Sequence, residues 1–349
     1  MDELRLFDLG ERRIIDEIFR PRYANGEHFG DDCVHLQVAG SGTLIATTDP
    51  CPKPMASVLG FEDYYYWGWL LATINLSDVA ADGGTPLGLL TDLELPREMR
   101  VRDLRRLLDG LDENCTMHGT AVLGGNIKES VHFSVAATAL GKIESGSPLT
   151  RRGASVGDTI MVAGPTGAFW SGVLALKAGL IEKDDPWLSA VLTPLPQLAA
   201  GQALQRQGLV SAAMDNSDGL YTSLAFMAQE TGLGFSVELD HVDLSEPVID
   251  FSERLGIDAT RLMLGWGDWQ LLLTAPEDHV GPVTDLLTGI GVEFTTVGRV
   301  VVDQGVFASR HGSSGALMPL DSQRFASDSW FTAGLDSYID FMTGEDLVQ

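Results

Sequence analysis

The chain has 349 residues, of which 49 are acidic and 23 basic, so its formal net charge is −26. Hydrophobic residues make up 44% of it, which is typical of a globular protein with two domains that each bury a core. A charge of this sign and size repels nucleic acid phosphates and anionic lipid, so neither is an expected partner. No apolar run reaches the ~18 residues of a membrane span. The three cysteines form no CxxC pair, so we expect a cytoplasmic protein with reduced thiols.

The predicted elements, taken in chain order, divide into two halves. The first half contains a helix at 3–20, two strands within 33–48, a helix at 64–81, a strand at 87–95, a helix at 100–118 and strands at 120–123 and 132–141. The second half contains strands at 159–163, near 212, at 235–238, 271–274 and 293–299, and helices at 169–178, 196–206, 217–231 and 278–287.

Strands and helices interleave with reversals, which favours an α+β fold with mixed sheets and helices on one face over a doubly wound parallel fold. The polar, glycine-containing segment LTRRGASVGD indicates a boundary near residue 150. We therefore expect domains at 1–150 and 151–325, with a tail at 326–349.

Four short acidic clusters combine carboxylates with small residues. They are GDD at 30–32, TTD at 47–49, NLSD at 75–78 and MDNSDGL at 214–220. Each alone can be explained by a turn, and Ser217 or Asp215 can be explained as the cap of a following helix. Together they fit Mg²⁺, which takes oxygen ligands and bridges carboxylates to phosphates.

Glycines next to these clusters allow backbone N–H groups to approach phosphate oxygens, and they are Gly30, Gly124, Gly125 and Gly219. The two commonest nucleotide motifs, GxxxxGK[ST] and a GxGxxG that follows a strand, are absent from the sequence. A GxSxG string occurs at 153–157, but it precedes a predicted strand, so Ser155 is a poor nucleophile candidate.

The order GDD, TTD, NLSDVAADGGTP, GGN, LTRRGASVGD, MDNSDGL, GWGDWQLLLT resembles the thiamine-monophosphate kinase family. That family belongs to the superfamily of aminoimidazole ribonucleotide synthetase, selenophosphate synthetase and the hydrogenase-maturation dehydratase. The resemblance implies an N-terminal domain that binds ATP and magnesium and pairs with its twin in a homodimer. It also implies a C-terminal α+β domain that covers the site.

The resemblance assigns roles to residues by matching position. The implied magnesium ligands are Asp32, Asp49, Asp78, Asp215 and Asp218, with Asp78 and Asp218 as the catalytic residues. The implied ATP contacts are Thr47, Thr48, Gly124, Gly125, Asn126, Arg151, Asp215 and Ser217. Such a site transfers a phosphoryl group by positioning and charge neutralisation.

The sequence departs from the family pattern mainly where the acceptor is expected. Ala56 stands in place of a histidine, Gly267 in place of a glutamate, and Asn126 in place of an aspartate. The candidates for acceptor contacts are Lys53, Trp266, Asp268 and Trp269. The more ordinary interpretation is that Lys53 is a solvated loop residue and that the two tryptophans belong to the core. Cys51 is a weaker candidate for a nucleophile, since no histidine is predicted beside it.

The leading hypothesis is an ATP- and Mg²⁺-dependent phosphotransferase whose small-molecule acceptor is other than, or additional to, thiamine phosphate. One alternative keeps ATP but uses it to activate an amide oxygen, so that a C–N bond forms and phosphate is released. Another is a non-catalytic nucleotide-binding scaffold dimer. A second copy of the chain is the one protein partner that the sequence implies.

Overall fold

Two sheets, one in each half of the chain, define the architecture. The computed structural model describes residues 9, 13–19, 21, 31–38, 42–317 and 334–344. The N-terminal sheet is formed by β1 (Val34–Val38), β2 (Gly42–Pro50), β3 (Thr85–Pro96), β4 (Val122–Ser130) and β5 (Ser134–Ile143). The C-terminal sheet is formed by β6 (Thr159–Ala163), β7 (Ala212–Asn216), β8 (Gly234–Glu238), β9 (Gln270–Ala275), β10 (Phe294–Val301), β11 (Gly305–Arg310) and β12 (Ser313–Ala316).

Both sheets are mixed. The first has the strand order β1-β2-β5-β3-β4 and the second β12-β11-β8-β10-β6-β9-β7. The pairs β3–β4 and β8–β11 are parallel, and the other pairs are antiparallel. The predicted α+β class is therefore confirmed.

The helices connect and cover the sheets. They are α1 (Met55–Val58), α2 (Tyr65–Ala81), α3 (Val101–Met117), α4 (Ala168–Lys177), α5 (Ser189–Leu192), α6 (Leu198–Gln207), α7 (Leu220–Thr231), α8 (Glu246–Leu255), α9 (Ala259–Leu264), α10 (Val280–Gly289) and α11 (Leu335–Thr343). Of the helix predicted at 3–20, a short π-helical turn at Ile15–Phe19 is described, and residues 3–8, 10–12 and 20 lie outside the described part. Among the described helices, none is long and apolar enough to cross a membrane.

Helix α2 lies at the centre of the molecule, and all its residues from Gly68 to Ala81 are buried. A side chain at Gly68 would place its Cβ 1.8 Å from the carbonyl oxygen of Leu107, so α2 and α3 cross in close contact. At the other end, a Cβ on Gly201 of α6 would lie 2.0 Å from the carbonyl oxygen of Ala80. These glycines allow α2, which carries the NLSD segment, to contact both halves of the molecule.

The connection between β2 and α2 reaches across to the C-terminal half. Met55 and Ala56 of α1 are 4% and 0% exposed, and Met55 belongs to the core that α4 and α7 form. The Lys183 Nζ donates to the carbonyl oxygen of Gly60 at 3.3 Å. The chain that leaves β2 is thus held at one end by the N-terminal sheet and at the other by the C-terminal core.

Part of the stretch that the sequence assigns to a tail is a packed helix. In α11, Tyr338 is 5% exposed and Met342 is 0% exposed, and both belong to the C-terminal core. The Arg261 Nη1 donates to the carbonyl oxygen of Met342 at 2.9 Å. Residues 326–333 and 345–349 of the predicted tail lie outside the described part of the chain.

Candidate functional site

Three aspartates from distant parts of the chain converge where the two halves meet. Asp32 lies two residues before the start of β1, Asp78 lies in α2, and Asp215 lies in β7. One carboxylate oxygen from each lies within 4.8 Å of the other two. The structure therefore brings together three of the five predicted metal ligands, and we call them the carboxylate cluster.

Arg151 pairs with this cluster from the connection between the two sheets. Its guanidinium forms an ion pair with Asp32, and the two side chains are 14% and 2% exposed. Burial lowers the pKa of Arg151, but the charges of Asp32, Asp215 and Asp78 raise it by more, so its pKa lies above the ordinary value. Arg151 is thus a fixed cation opposite three carboxylates.

If all three were ionised, the buried carboxylates would carry more negative charge than Arg151 can balance. Burial, followed by the charges of neighbouring aspartates, raises the pKa of Asp78 well above its usual range. Burial and the charge of Asp32 raise the pKa of Asp215 in the same way. Packing several ionised carboxylates together is unfavourable unless a cation compensates them. Because all three donors are hard oxygens, Asp32, Asp78 and Asp215 fit Mg²⁺, which would neutralise phosphate oxygens when bound.

Strand β2 separates the residues of the TTD cluster between its two faces. Thr47 Oγ1 donates to Asp78 Oδ2 at 2.5 Å. The charge of Asp49 contributes to the raised pKa of Asp78, and its backbone N–H donates to Asn75 Oδ1 at 3.2 Å. Since side chains alternate along a strand, Thr48 faces away, where its Oγ1 donates to the carbonyl oxygen of Ala137 at 3.1 Å. Thr48 therefore lies on the opposite face of β2 from Thr47 and the carboxylate cluster, and its ATP contact stays a prediction.

The MDNSDGL segment passes from β7 to α7 without a capping side chain. Helix α7 begins after Gly219, whose φ is 94°, so the residue at its cap position has no side chain that could form a capping hydrogen bond. Ser217 instead forms a side-chain hydrogen bond with Asp215. Gly219 therefore stands at the cap position considered for Ser217 or Asp215, and the metal and ATP roles of Asp215 and Ser217 stay predictions. Asp218 is half-buried beside them, outside the three-carboxylate group, and its metal and catalytic roles stay predictions, as does the metal role of Asp49.

A buried amide network that the sequence did not indicate supports Asp215. Asn216 Nδ2 donates to Gln270 Oε1 at 2.7 Å, and Ser223 Oγ donates to Asn216 Oδ1 at 2.9 Å. Gln270 Nε2 donates in turn to Thr166 Oγ1 at 2.9 Å. These contacts fix the end of β7 against β9 and α7. No local pattern reveals them, because the partners come from four separate segments.

The GGN segment lies on an edge strand and not in a turn. The strand predicted at 120–123 continues to Ser130, so Gly124, Gly125 and Asn126 are residues of β4. A Cβ on Gly125 would lie 2.1 Å from the carbonyl oxygen of Thr91 on β3, which explains the glycine by close strand contact. Asn126 Nδ2 donates to Asp92 Oδ1 at 3.1 Å. The nucleotide contacts assigned to these three residues stay predictions.

The two tryptophans proposed for the acceptor face different cores. Trp266 packs in an aromatic group with Phe169, Trp170 and Tyr338, at ring-centroid distances of 5.4, 5.2 and 6.1 Å. Trp269, with φ 50°, packs against the core of the N-terminal half. The two rings therefore form no common stacking surface, and the ordinary interpretation as core residues explains Trp266.

The neighbouring residues also serve the fold. Asp268 Oδ2 and Oδ1 accept the backbone N–H groups of Gly167 and Phe169 at 2.6 and 2.8 Å, so both oxygens hold the first turn of α4. A Cβ on Gly267, whose φ is 109°, would lie 2.7 Å from the Phe169 ring. An acceptor contact by Asp268 stays a prediction, and Phe169 occupies the space next to Gly267.

Two further candidates lie in the segment between β2 and α1. Lys53 is exposed there, as the acceptor role requires. Cys51 Sγ donates to the carbonyl oxygens of Pro52 and Trp67 at 3.3 and 3.6 Å. Burial raises the pKa of the Cys51 thiol, so it is protonated at neutral pH, which argues against the nucleophile hypothesis.

Comparison with known families agrees with the geometry of the site. Residues 30–143 match the family described as AIR synthase related protein, N-terminal domain, and residues 155–310 match the C-terminal domain of the same description. The matched ranges span most of the chain and include the whole carboxylate cluster. The chain belongs to the AIR synthase related protein family, as its motifs indicated.

Within that family the chain is similar to thiamine-monophosphate kinases. The enzyme of that name from Aquifex aeolicus is 29% identical over 311 residues, which cover 87% of this chain and 95% of the relative. The one from Salmonella typhimurium is 30% identical over 295 residues, covering 83% and 89%. A solved structure described as "AaThiL complexed with AMPPCP and TMP" matches with a TM-score of 0.76 and 28% identity, covering 90% of this chain and 97% of that one.

Proposed function

We propose that this protein is an ATP- and Mg²⁺-dependent phosphotransferase that acts on a small-molecule acceptor. The observation that carries the proposal is the carboxylate cluster, in which Asp32, Asp78 and Asp215 lie within 4.8 Å of one another and face Arg151. Its relatives are named thiamine-monophosphate kinases, and one related structure is described as a complex with AMPPCP and TMP.

In this proposal, the residues of the chain hold and orient the reacting groups and form no covalent bond with them. Asp32, Asp78 and Asp215 hold magnesium, which supplies charge neutralisation to the phosphates of ATP. Thr47 keeps the Asp78 carboxylate oriented through its 2.5 Å hydrogen bond. Arg151 offers a guanidinium to the transferred phosphoryl group, a geometry for which its planar fork is suited.

We propose further that the acceptor differs from thiamine monophosphate. Ala56 is fully buried, and the Phe169 ring fills the space next to Gly267, so neither position offers a side chain to an acceptor. Lys53 is exposed one residue before Pro54 and α1, in a segment held at both ends. A cation there suits an acceptor that carries a carboxylate or a phosphate.

Turnover with a panel of phosphorylated and carboxylated acceptors, thiamine monophosphate included, tests both proposals. We expect ADP to form in step with a phosphorylated acceptor, and we expect little turnover of thiamine monophosphate. Free phosphate released in step with loss of an amide would indicate the synthetase chemistry instead. Efficient phosphorylation of thiamine monophosphate would contradict the proposal of a different acceptor, but it would support the proposed phosphotransferase activity.

We also propose a homodimer formed through the N-terminal sheet. The face opposite α2 presents apolar side chains, and Leu36 of β1 and Leu90 of β3 are 49% and 41% exposed. Burying such a patch against a second copy removes it from water. A Leu36→Asp, Leu90→Asp double variant should sediment as a monomer, while Val302→Asp, in the turn after β10, should leave the dimer intact. A wild type that sediments as a monomer would contradict this proposal.

A further inference from the structure

A histidine and an aspartate form a buried pair next to the carboxylate cluster. The His35 side chain lies in β1, and Asp82 immediately follows α2. His35 Nε2 and Asp82 Oδ2 are 2.7 Å apart, and the two side chains are 15% and 1% exposed. Asp82 lies within the NLSDVAADGGTP motif, but the sequence assigned no role to it or to His35.

The pair connects the same two elements that hold two of the cluster's aspartates. Asp32 precedes His35 by three residues, and Asp78 precedes Asp82 by four. On a helix, residues four apart lie on the same face, so Asp78 and Asp82 both point from α2 toward this part of β1. The hydrogen bond between His35 and Asp82 therefore joins β1 to the end of α2 close to Asp32 and Asp78.

Asp82 also anchors the segment that carries Arg151. Its carbonyl oxygen accepts the backbone N–H of Leu149 at 3.0 Å. The next residue, Thr150, accepts the N–H of Ala213 on β7 at 2.9 Å. A shift of Asp82 would thus move the segment that links α2, β7 and Arg151.

We propose that the His35–Asp82 pair is a positioning pair that sets the spacing of the cluster and so its affinity for a divalent cation. This inference rests on the proposed function above. His35 acts through Asp82, and the charged groups near it include Asp31, which precedes β1, and Arg152, in the connection between the two sheets. Groups that hold metal ligands in place typically change metal affinity about 10- to 100-fold when they are removed.

Calorimetric titration of Mg²⁺ into protein saturated with a non-hydrolysable ATP analogue tests the proposal on the full chain. We expect His35→Ala to bind Mg²⁺ about tenfold more weakly. His35→Gln keeps a side-chain donor for Asp82, so it should restore affinity to within about twofold of wild type. His118→Gln, a histidine at the end of α3, is the matched control and should behave as wild type.

A double variant separates positioning from loss of stability. His35→Leu with Asp82→Leu replaces a buried polar pair by an apolar one and leaves no unpaired charge, so we expect it to fold. It should nevertheless bind Mg²⁺ about tenfold more weakly, as His35→Ala does. The free energy of unfolding of each variant is measured alongside. Wild-type Mg²⁺ affinity in His35→Ala or in the double variant would overturn the positioning role. A wild type that binds no Mg²⁺ would instead defeat the proposed function itself.

Discussion

The carboxylate cluster and the segment from Trp266 to Asp268 lie at the same end of the C-terminal sheet, yet they are built in opposite ways. The cluster holds three carboxylates against one guanidinium, with Asp78 and Asp215 shifted to a raised pKa. The other segment packs Trp266 and Gly267 against Phe169 and uses its carboxylate, Asp268, to hold a helix.

This contrast separates residues that the fold needs from residues that a ligand needs. Asp268 and Gly267 have partners within the chain that explain their identity. The carboxylate cluster lowers the stability of the chain that carries it, because its charges repel one another in a buried place. A surplus of buried charge is therefore better evidence for a ligand than a conspicuous aromatic residue is.

Substitution of Arg151 should have the largest effect on stability, and the size of that effect should depend on the presence of magnesium. Without Mg²⁺ at pH 8, Arg151→Met should lower the free energy of unfolding by about 3 kcal/mol, because the buried carboxylates lose their counterion. Millimolar Mg²⁺ should recover more than half of that loss. Urea denaturation with and without Mg²⁺ measures both values.

The control for this prediction is Arg254→Met, which breaks an exposed pair with Asp250 on α8. Exposed pairs contribute little, so we expect a loss within about 0.5 kcal/mol and no dependence on Mg²⁺. Two outcomes would contradict the claim that the buried carboxylates need a compensating cation. One is an equal loss of unfolding free energy in the two variants, and the other is a failure of Mg²⁺ to restore the stability of Arg151→Met.

Gly267→Ala should destabilise the protein by about 2 kcal/mol, since the added Cβ is forced against Phe169 in a backbone conformation that favours glycine. Gly291 has φ 72° and open space around its Cβ position, so Gly291→Ala measures the backbone cost alone, about 1 kcal/mol. Denaturation midpoints give the difference. If Gly267→Ala and Gly291→Ala lower the stability equally, contact with the Phe169 ring is not the reason for glycine at position 267.

Asp268 should make the stability depend on pH. Burial raises its pKa to about 7, although the N–H groups of Phe169 and Gly167 oppose this. In the unfolded chain a carboxyl of this kind titrates near about 4, so between these values the native state binds the proton more tightly. The free energy of unfolding should therefore fall as the pH rises from about 4 to about 7.

Comparison with Asp268→Asn isolates that contribution, because the other titrating groups are shared. Between pH 5 and pH 8, the wild type should lose about 2 kcal/mol more than the variant. Parallel pH profiles for the two proteins would show that Asp268 is already ionised at pH 5.

The resemblance to the family implied five aspartates as metal ligands, and the structure brings three of them, Asp32, Asp78 and Asp215, together. The resemblance placed Thr47 and Thr48 together, since strand alternation matters only once the faces of β2 are known. The Asn216–Gln270 and His35–Asp82 contacts join residues 54 and 47 positions apart, and no periodicity within one element reveals such pairs.

Helix α3 was predicted from its strong hydrophobic periodicity, and α2 from a long run of aromatic and small apolar residues that suits a buried helix. The prediction was less accurate at β4, where the predicted strand ended before Gly124, because glycine within a strand resembles a turn. The short α1 was not predicted, since its four residues become helical while packing against the C-terminal core.

The central claim is that the carboxylate cluster binds a nucleotide through magnesium. Calorimetric titration of a non-hydrolysable ATP analogue, with and without Mg²⁺, into wild type and Asp78→Asn tests it most directly. We expect binding to the wild type that depends on Mg²⁺, and a loss of at least about 100-fold in Asp78→Asn. Equal affinities of the two proteins in Mg²⁺, or wild-type binding that does not respond to Mg²⁺, would contradict the claim.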